Sequence, residues 1–120
     1  MDLPKASQPP DPCVCEAPSA SHEDFHVQYI GVDETDGRYG DVSALTCKRC
    51  GQCWLRYFVE YEAFRASGRW ARGPIDGEAA RSITPEQATE VIAGMEWHLF
   101  GGSFFDGRSG RRSGAMHWGV

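Results

Sequence analysis

Cys47-Lys48-Arg49-Cys50-Gly51-Gln52-Cys53-Trp54-Leu55-Arg56-Tyr57-Phe58-Val59 joins a tight cysteine turn to a run rich in aromatic and β-branched residues. The run from Cys53 to Tyr61 reads as a strand, because such side chains pack well on a pleated surface. Its period-2 sets differ. Leu55, Tyr57, Val59 and Tyr61 are apolar or aromatic throughout and are expected to face the core. Trp54, Arg56, Phe58 and Glu60 mix charge with rings and are expected to be half exposed. Ahead of this strand, Gly51 follows Cys50 where the chain must curl back under a metal with its amides facing sulfur. Glycine takes the positive φ required there at little steric cost.

A second couplet, Cys13-Val14-Cys15, is separated from Cys47 by 31 residues. Two couplets predict one tetrahedral metal site holding Zn2+ through Cys13, Cys15, Cys47 and Cys50, with Zn–S near roughly 2.3 Å and sulfurs about 3.8 Å apart. In an extended segment Cys13 and Cys15 point to the same face while Val14 points away. A hairpin between the couplets would close the gap. Phe25 to Ile30 and Val42 to Thr46 read as its strands, with Asp36-Gly37 the reversal. Three residues compete as ligands. Cys53 forms an alternative couplet with Cys50, and His22 and His26 share a face if helical. Cys53 also reads as a small buried apolar residue, and the two histidines as solvent-exposed. His98 and His117 stand alone and read as structural or free.

Farther along, Arg69 to Arg72 is a short further strand after the Ser67-Gly68 turn. Thr84-Pro85-Glu86-Gln87 supplies an N-cap, a proline at the first helical position and a capping-box Gln. Ala88, Val91, Ile92 and Met95 follow at helical spacing, predicting a helix that ends at Phe100 and packs on the sheet. Ser103 to Phe105 is expected to add an edge strand. The predicted class is therefore α+β: a small antiparallel sheet, a four-cysteine site and one C-terminal helix. Residues 1–12, with four prolines, are expected as a disordered leader, 13–106 as the folded domain, and 107–120 as a flexible tail.

The couplets, on turns that clamp a small sheet, resemble the zinc-ribbon class over residues 13–62. Cys47-x2-Cys50-Gly51 fits that pattern; Cys13-x-Cys15 departs from the Cys-x2-Cys that ribbons carry at both turns. The chain is also similar to small bacterial proteins with a Cys-x-Cys, a later Cys-x2-Cys-Gly, then an aromatic strand and a helix. Both likenesses imply fold and metal, and neither implies an activity.

Composition narrows the function. The 120 residues carry a net charge of −5, which argues against a general nucleic-acid binder. Residues 47–75 are locally basic, however. Lys48, Arg49, Arg56, Arg69 and Arg72 interleave with aromatics there and keep a nucleic-acid-binding alternative open. No apolar run approaches the ~18 residues that cross a bilayer, and no signal-peptide core is visible, so a cytoplasmic, reducing location is expected. Cysteine couplets in that setting read as metal ligands rather than disulfides.

Catalysis is not expected. Four thiolates leave zinc no open position for water, and neither His-Glu-x-x-His nor Gly-x-Ser-x-Gly occurs. Four Trp, four Tyr and six Phe in so small a domain supply anchors for another protein as the partner. The same aromatics also read as thickening for a thin core.

Overall fold

The computed structural model describes residues 12–119. The leader expected at 1–12 lies, apart from Pro12, outside them. Six strands form one antiparallel meander in chain order: β1 (Phe25–Asp33), β2 (Gly40–Cys47), β3 (Cys53–Val59), β4 (Arg69–Ile75), β5 (His98–Gly101) and β6 (Gly110–Arg112). Every connection joins neighbours, so sheet order follows directly from sequence order. Two short helices, α1 (Gly77–Ser82) and α2 (Ala88–Ala93), interrupt the sheet between β4 and β5. The protein is thus largely sheet.

Alternation along β3 works as expected on one side and exceeds expectation on the other. Leu55, Tyr57 and Val59 are fully buried beneath α2 with Val42, Ala71, Ala88 and Ile92. Trp54, on the opposite face, is also fully buried, packed with Phe25, Leu45 and Leu99. The sheet is therefore covered on both faces. Helices and the C-terminus cover one, and the N-terminal segment covers the other.

The Thr84 cap forms, with its backbone N–H donating to Gln87 Oε1 at 3.0 Å, and Pro85–Gln87 is a 3-10 turn that runs into α2. The helix is shorter than predicted. It stops at Ala93, where Gly94 caps it through an N–H bond to the Glu90 carbonyl. Residues 98–100, expected as its last turn, instead lie in β5, which pairs with β4 through Ala71 and Phe100. Gly94 is a poor helix former, and pairing with β4 supplies the hydrogen bonds that a longer helix would have made.

Ser103–Phe105 forms a 3-10 turn rather than an edge strand, held by the Phe104 N–H on the Gly68 carbonyl at 2.8 Å. The edge strand is β6, inside the stretch expected as a flexible tail. Its Gly-Arg-Arg sequence has no apolar alternation. It gains contacts through its arginines instead: Arg111 stacks on Trp97 at 3.7 Å and Arg112 on Phe100 at 5.3 Å. Beyond it, buried Trp118 completes the α2-side core. The buried Arg69 guanidinium latches this segment, donating to the carbonyls of His117 at 3.0 Å and Gly119 at 2.9 Å.

The β1–β2 hairpin turns through Asp36 and Gly37, both with positive φ. Behind the turn lies a buried polar group. Asp33 accepts from the Tyr57 hydroxyl at 2.7 Å and from Arg38 at 2.9 Å, so its charge is satisfied where water is excluded.

Candidate metal centre

The hairpin register explains how the couplets meet. Phe25 stands opposite Cys47, so the chain entering β1 lies beside the end of β2. The Lys48 N–H donates to the Asp24 carbonyl at 3.0 Å and fixes that approach. Cys13, Cys15, Cys47 and Cys50 converge there, all four sulfurs within 4.8 Å of one another. Cys13 Sγ lies 3.6 Å from Cys47 Sγ, and Cys15 Sγ lies 3.6 Å from Cys50 Sγ.

The Cys47–Cys50 turn forms as its sequence indicates. Gly51 takes φ +80°, its N–H bonds the Cys47 carbonyl at 3.0 Å, and the Cys47 N–H bonds the Gln52 carbonyl at 2.9 Å. Backbone amides consequently face sulfur, among them Arg49 N–H to Cys47 at 3.4 Å and Gln52 N–H to Cys50 at 3.5 Å. The upstream couplet is not extended as expected. Val14–Glu16 is a 3-10 turn with Cys13 as its extended N-cap, which leaves Val14 exposed and buries Cys15. A buried arginine holds this turn in place: Arg72 Nη2 donates to the Cys15 carbonyl at 3.0 Å and the Ala17 carbonyl at 2.7 Å.

The competing ligands fall outside the cluster. Cys53 pairs with Thr46 across the β2–β3 ladder and shares a sheet face with Leu55. Cys47, one residue on from Thr46, points to the other face. His22 and His26 are exposed, His98 is fully buried on β5, and His117 is exposed near the C-terminus.

Crowding four thiols has an electrostatic consequence. Burial works against ionisation of Cys47, but the N–H groups of Cys50 and Arg49 and the neighbouring Cys13 and Cys50 thiols bring it down to about 6. Burial and then Cys50 push Cys15 well above the thiol range. At Cys50 the Gln52 N–H favours the thiolate, yet burial and the Cys13 and Cys47 thiols leave its pKa raised. Protein groups alone thus favour a thiolate at Cys47 and oppose one at Cys15 and Cys50. A bound cation removes that conflict, since a coordinating thiol is deprotonated outright. The buried Trp54 indole N–H favours the charged form of Cys15. The donor set therefore fits a soft or borderline dication in tetrahedral geometry. The two 3.6 Å separations sit close to the edge of a zinc–thiolate tetrahedron, about 3.8 Å.

Sequence reading had no signal for Arg72 as the anchor of the upstream turn, because the contact spans more than fifty residues. Among the described residues, no helix is long and apolar enough to cross a membrane. No family model, no curated protein and no solved structure matches this chain.

Proposed function

We propose that the four cysteines hold one zinc ion as a structural element, in a non-catalytic module that binds another protein. The supporting observation is the sulfur cluster itself: four cysteine ligands drawn from two distant segments, with backbone amides turned toward two of them. Four thiolates complete the shell, so the metal's work is to pin the N-terminal segment onto the sheet. The interaction role draws on Val27 and Tyr29, large apolar side chains exposed on edge strand β1.

The nucleic-acid alternative draws less support. Arg69 and Arg72 are both buried, and the odd spacing along β4 puts them on opposite faces of the sheet. Arg69 is engaged with carbonyls, so segment 48–72 presents no continuous basic aromatic stripe.

Elemental analysis of protein purified under reducing conditions, paired with affinity capture on the tagged chain, tests both parts. The expected result is about one zinc per chain and a stoichiometric protein partner whose binding fails when Val27 and Tyr29 are replaced by Ser. Metal-free folded protein would overturn the structural-zinc reading. Capture of nucleic acid alone would overturn the interaction reading.

A further inference from the structure

Arg56 and Arg72 stand directly opposite each other on β3 and β4, with Ser43 opposite Arg56 on β2. Like charges in opposed positions destabilise a sheet unless something compensates them. Among the described residues, neither arginine has a carboxylate within ion-pair distance. Asp41, the acid acting on Arg56 from farther off, already accepts the Tyr29 hydroxyl at 2.9 Å. Cys15 and then Asp24 act favourably on Arg72, neither as an ion pair with a carboxylate.

Arg72 is 97% withdrawn from solvent, at 3% relative exposure. Its Nη2 is committed to two carbonyls, while its buried Nε has no hydrogen-bond partner. The rings of Phe25, Trp54 and Trp70 surround the guanidinium at 5.1–5.4 Å. Arg56 is half-buried, with its guanidinium 5.3 Å from the Phe58 ring. Burial disfavours the charge on Arg56.

The two arginines and Ser43 line a cleft of about 300 Å3, whose other walls include Phe25, Trp70 and, from the N-terminal segment, Pro18 and His22. Two facing guanidinium groups without a carboxylate partner, in a partly dry, aromatic-walled cleft, make a site suited to an anion. The Arg56 guanidinium offers a fork that matches the oxygens of phosphate, and the facing Arg72 charge favours a dianion over a monoanion. A cleft this small lies at the lower limit for small-molecule sites and accommodates one compact ring.

We propose that this cleft binds a small phosphate monoester, its oxyanion held by Arg56, Arg72 and the Ser43 hydroxyl and its apolar body against Trp70 and Phe25. The site adjoins the cysteine cluster through Arg72, whose Nη2 bonds the Cys15 carbonyl, whereas Arg56 and Ser43 lie on the strands away from it. Arg56 touches no part of the N-terminal segment by hydrogen bond, so it can be changed without loosening the metal loop.

The test titrates the full-length, as-purified protein with phenyl phosphate, inorganic phosphate and benzoate, read by calorimetry and by tryptophan fluorescence. One phenyl phosphate per chain is expected, bound about tenfold more tightly than either control and more weakly as salt rises. Arg56→Gln should weaken it by about tenfold with zinc content and melting temperature unchanged, while Lys48→Gln on the exposed turn should leave it intact. No binding of phenyl phosphate by about 10 mM would overturn the proposal, as would undiminished binding by Arg56→Gln or an equal loss in Lys48→Gln. Tighter binding of a phosphotyrosine peptide would overturn the small-molecule assignment. Zinc measured on the same samples keeps failure of the cleft distinct from failure of the metal reading.

Discussion

The Trp118 indole packs on the Tyr57 ring with centroids 4.6 Å apart, joining the end of the chain to the middle of the central strand β3. Tyr57 in turn donates its hydroxyl to buried Asp33. One contact thus ties the C-terminal segment to the core and to the hairpin beyond it.

Trp118→Ala should destabilise the fold by about 3–5 kcal/mol, the usual cost of emptying a buried indole site. Removing residues 113–120 should cost at least as much, because the carbonyls that satisfy Arg69 go with them. Urea unfolding curves check both. Unchanged midpoints would return this segment to the status of a tail.

Cys47→Ser and Cys50→Ser should each lose zinc and lower the melting temperature sharply, since metal affinity here is folding free energy. Cys53→Ser should keep about one zinc per chain, because its thiol points to the other sheet face. Metal content and thermal melts of the three variants decide the assignment. Zinc loss in Cys53→Ser alone would reverse it.

Asp33 supplies a pH dependence. Burial raises its pKa, but bonds from Thr35, Tyr57 and Arg38 outweigh burial and hold it at about 2. A carboxylate with a depressed folded pKa adds stability that is complete above its unfolded value, near 4, and is lost as pH falls toward 2. The contribution is about 2 kcal/mol. Asp33→Asn should accordingly be less stable than wild type at pH 6, with the gap closing on acidification. Acid loss from the metal centre is common to both proteins, so the difference between their urea midpoints isolates Asp33.

Gly40→Ala should cost about 1–3 kcal/mol through overpacking. Gly40 has ordinary strand geometry, but an added Cβ would overlap the Tyr57 ring. Tyr57 would have to move off Asp33, so a weakened pH dependence should accompany the lower midpoint. A neutral Gly40→Ala would show that the ring has room to shift.

By itself the sequence determined what rests on neighbours in the chain. Gly51 after Cys50, Asp36-Gly37 between two strands, the Thr84 cap and the alternation from Leu55 to Val59 each express a local preference that the fold keeps. Tertiary structure decided which face each residue serves and which weak segments are recruited. Cys53 is adjacent to the cysteine turn in sequence, yet strand parity turns it away, and Arg69 and Arg72 are separated by the same parity. Gly110–Arg112 has little strand character and becomes β6 because β5 offers an open edge and Trp97 and Phe100 offer rings. Likewise the Cys13 turn takes its shape from Arg72, a partner on β4. Local preference is written in adjacent residues, whereas hydrogen-bond partners and buried faces come from segments that meet only once the sheet has formed.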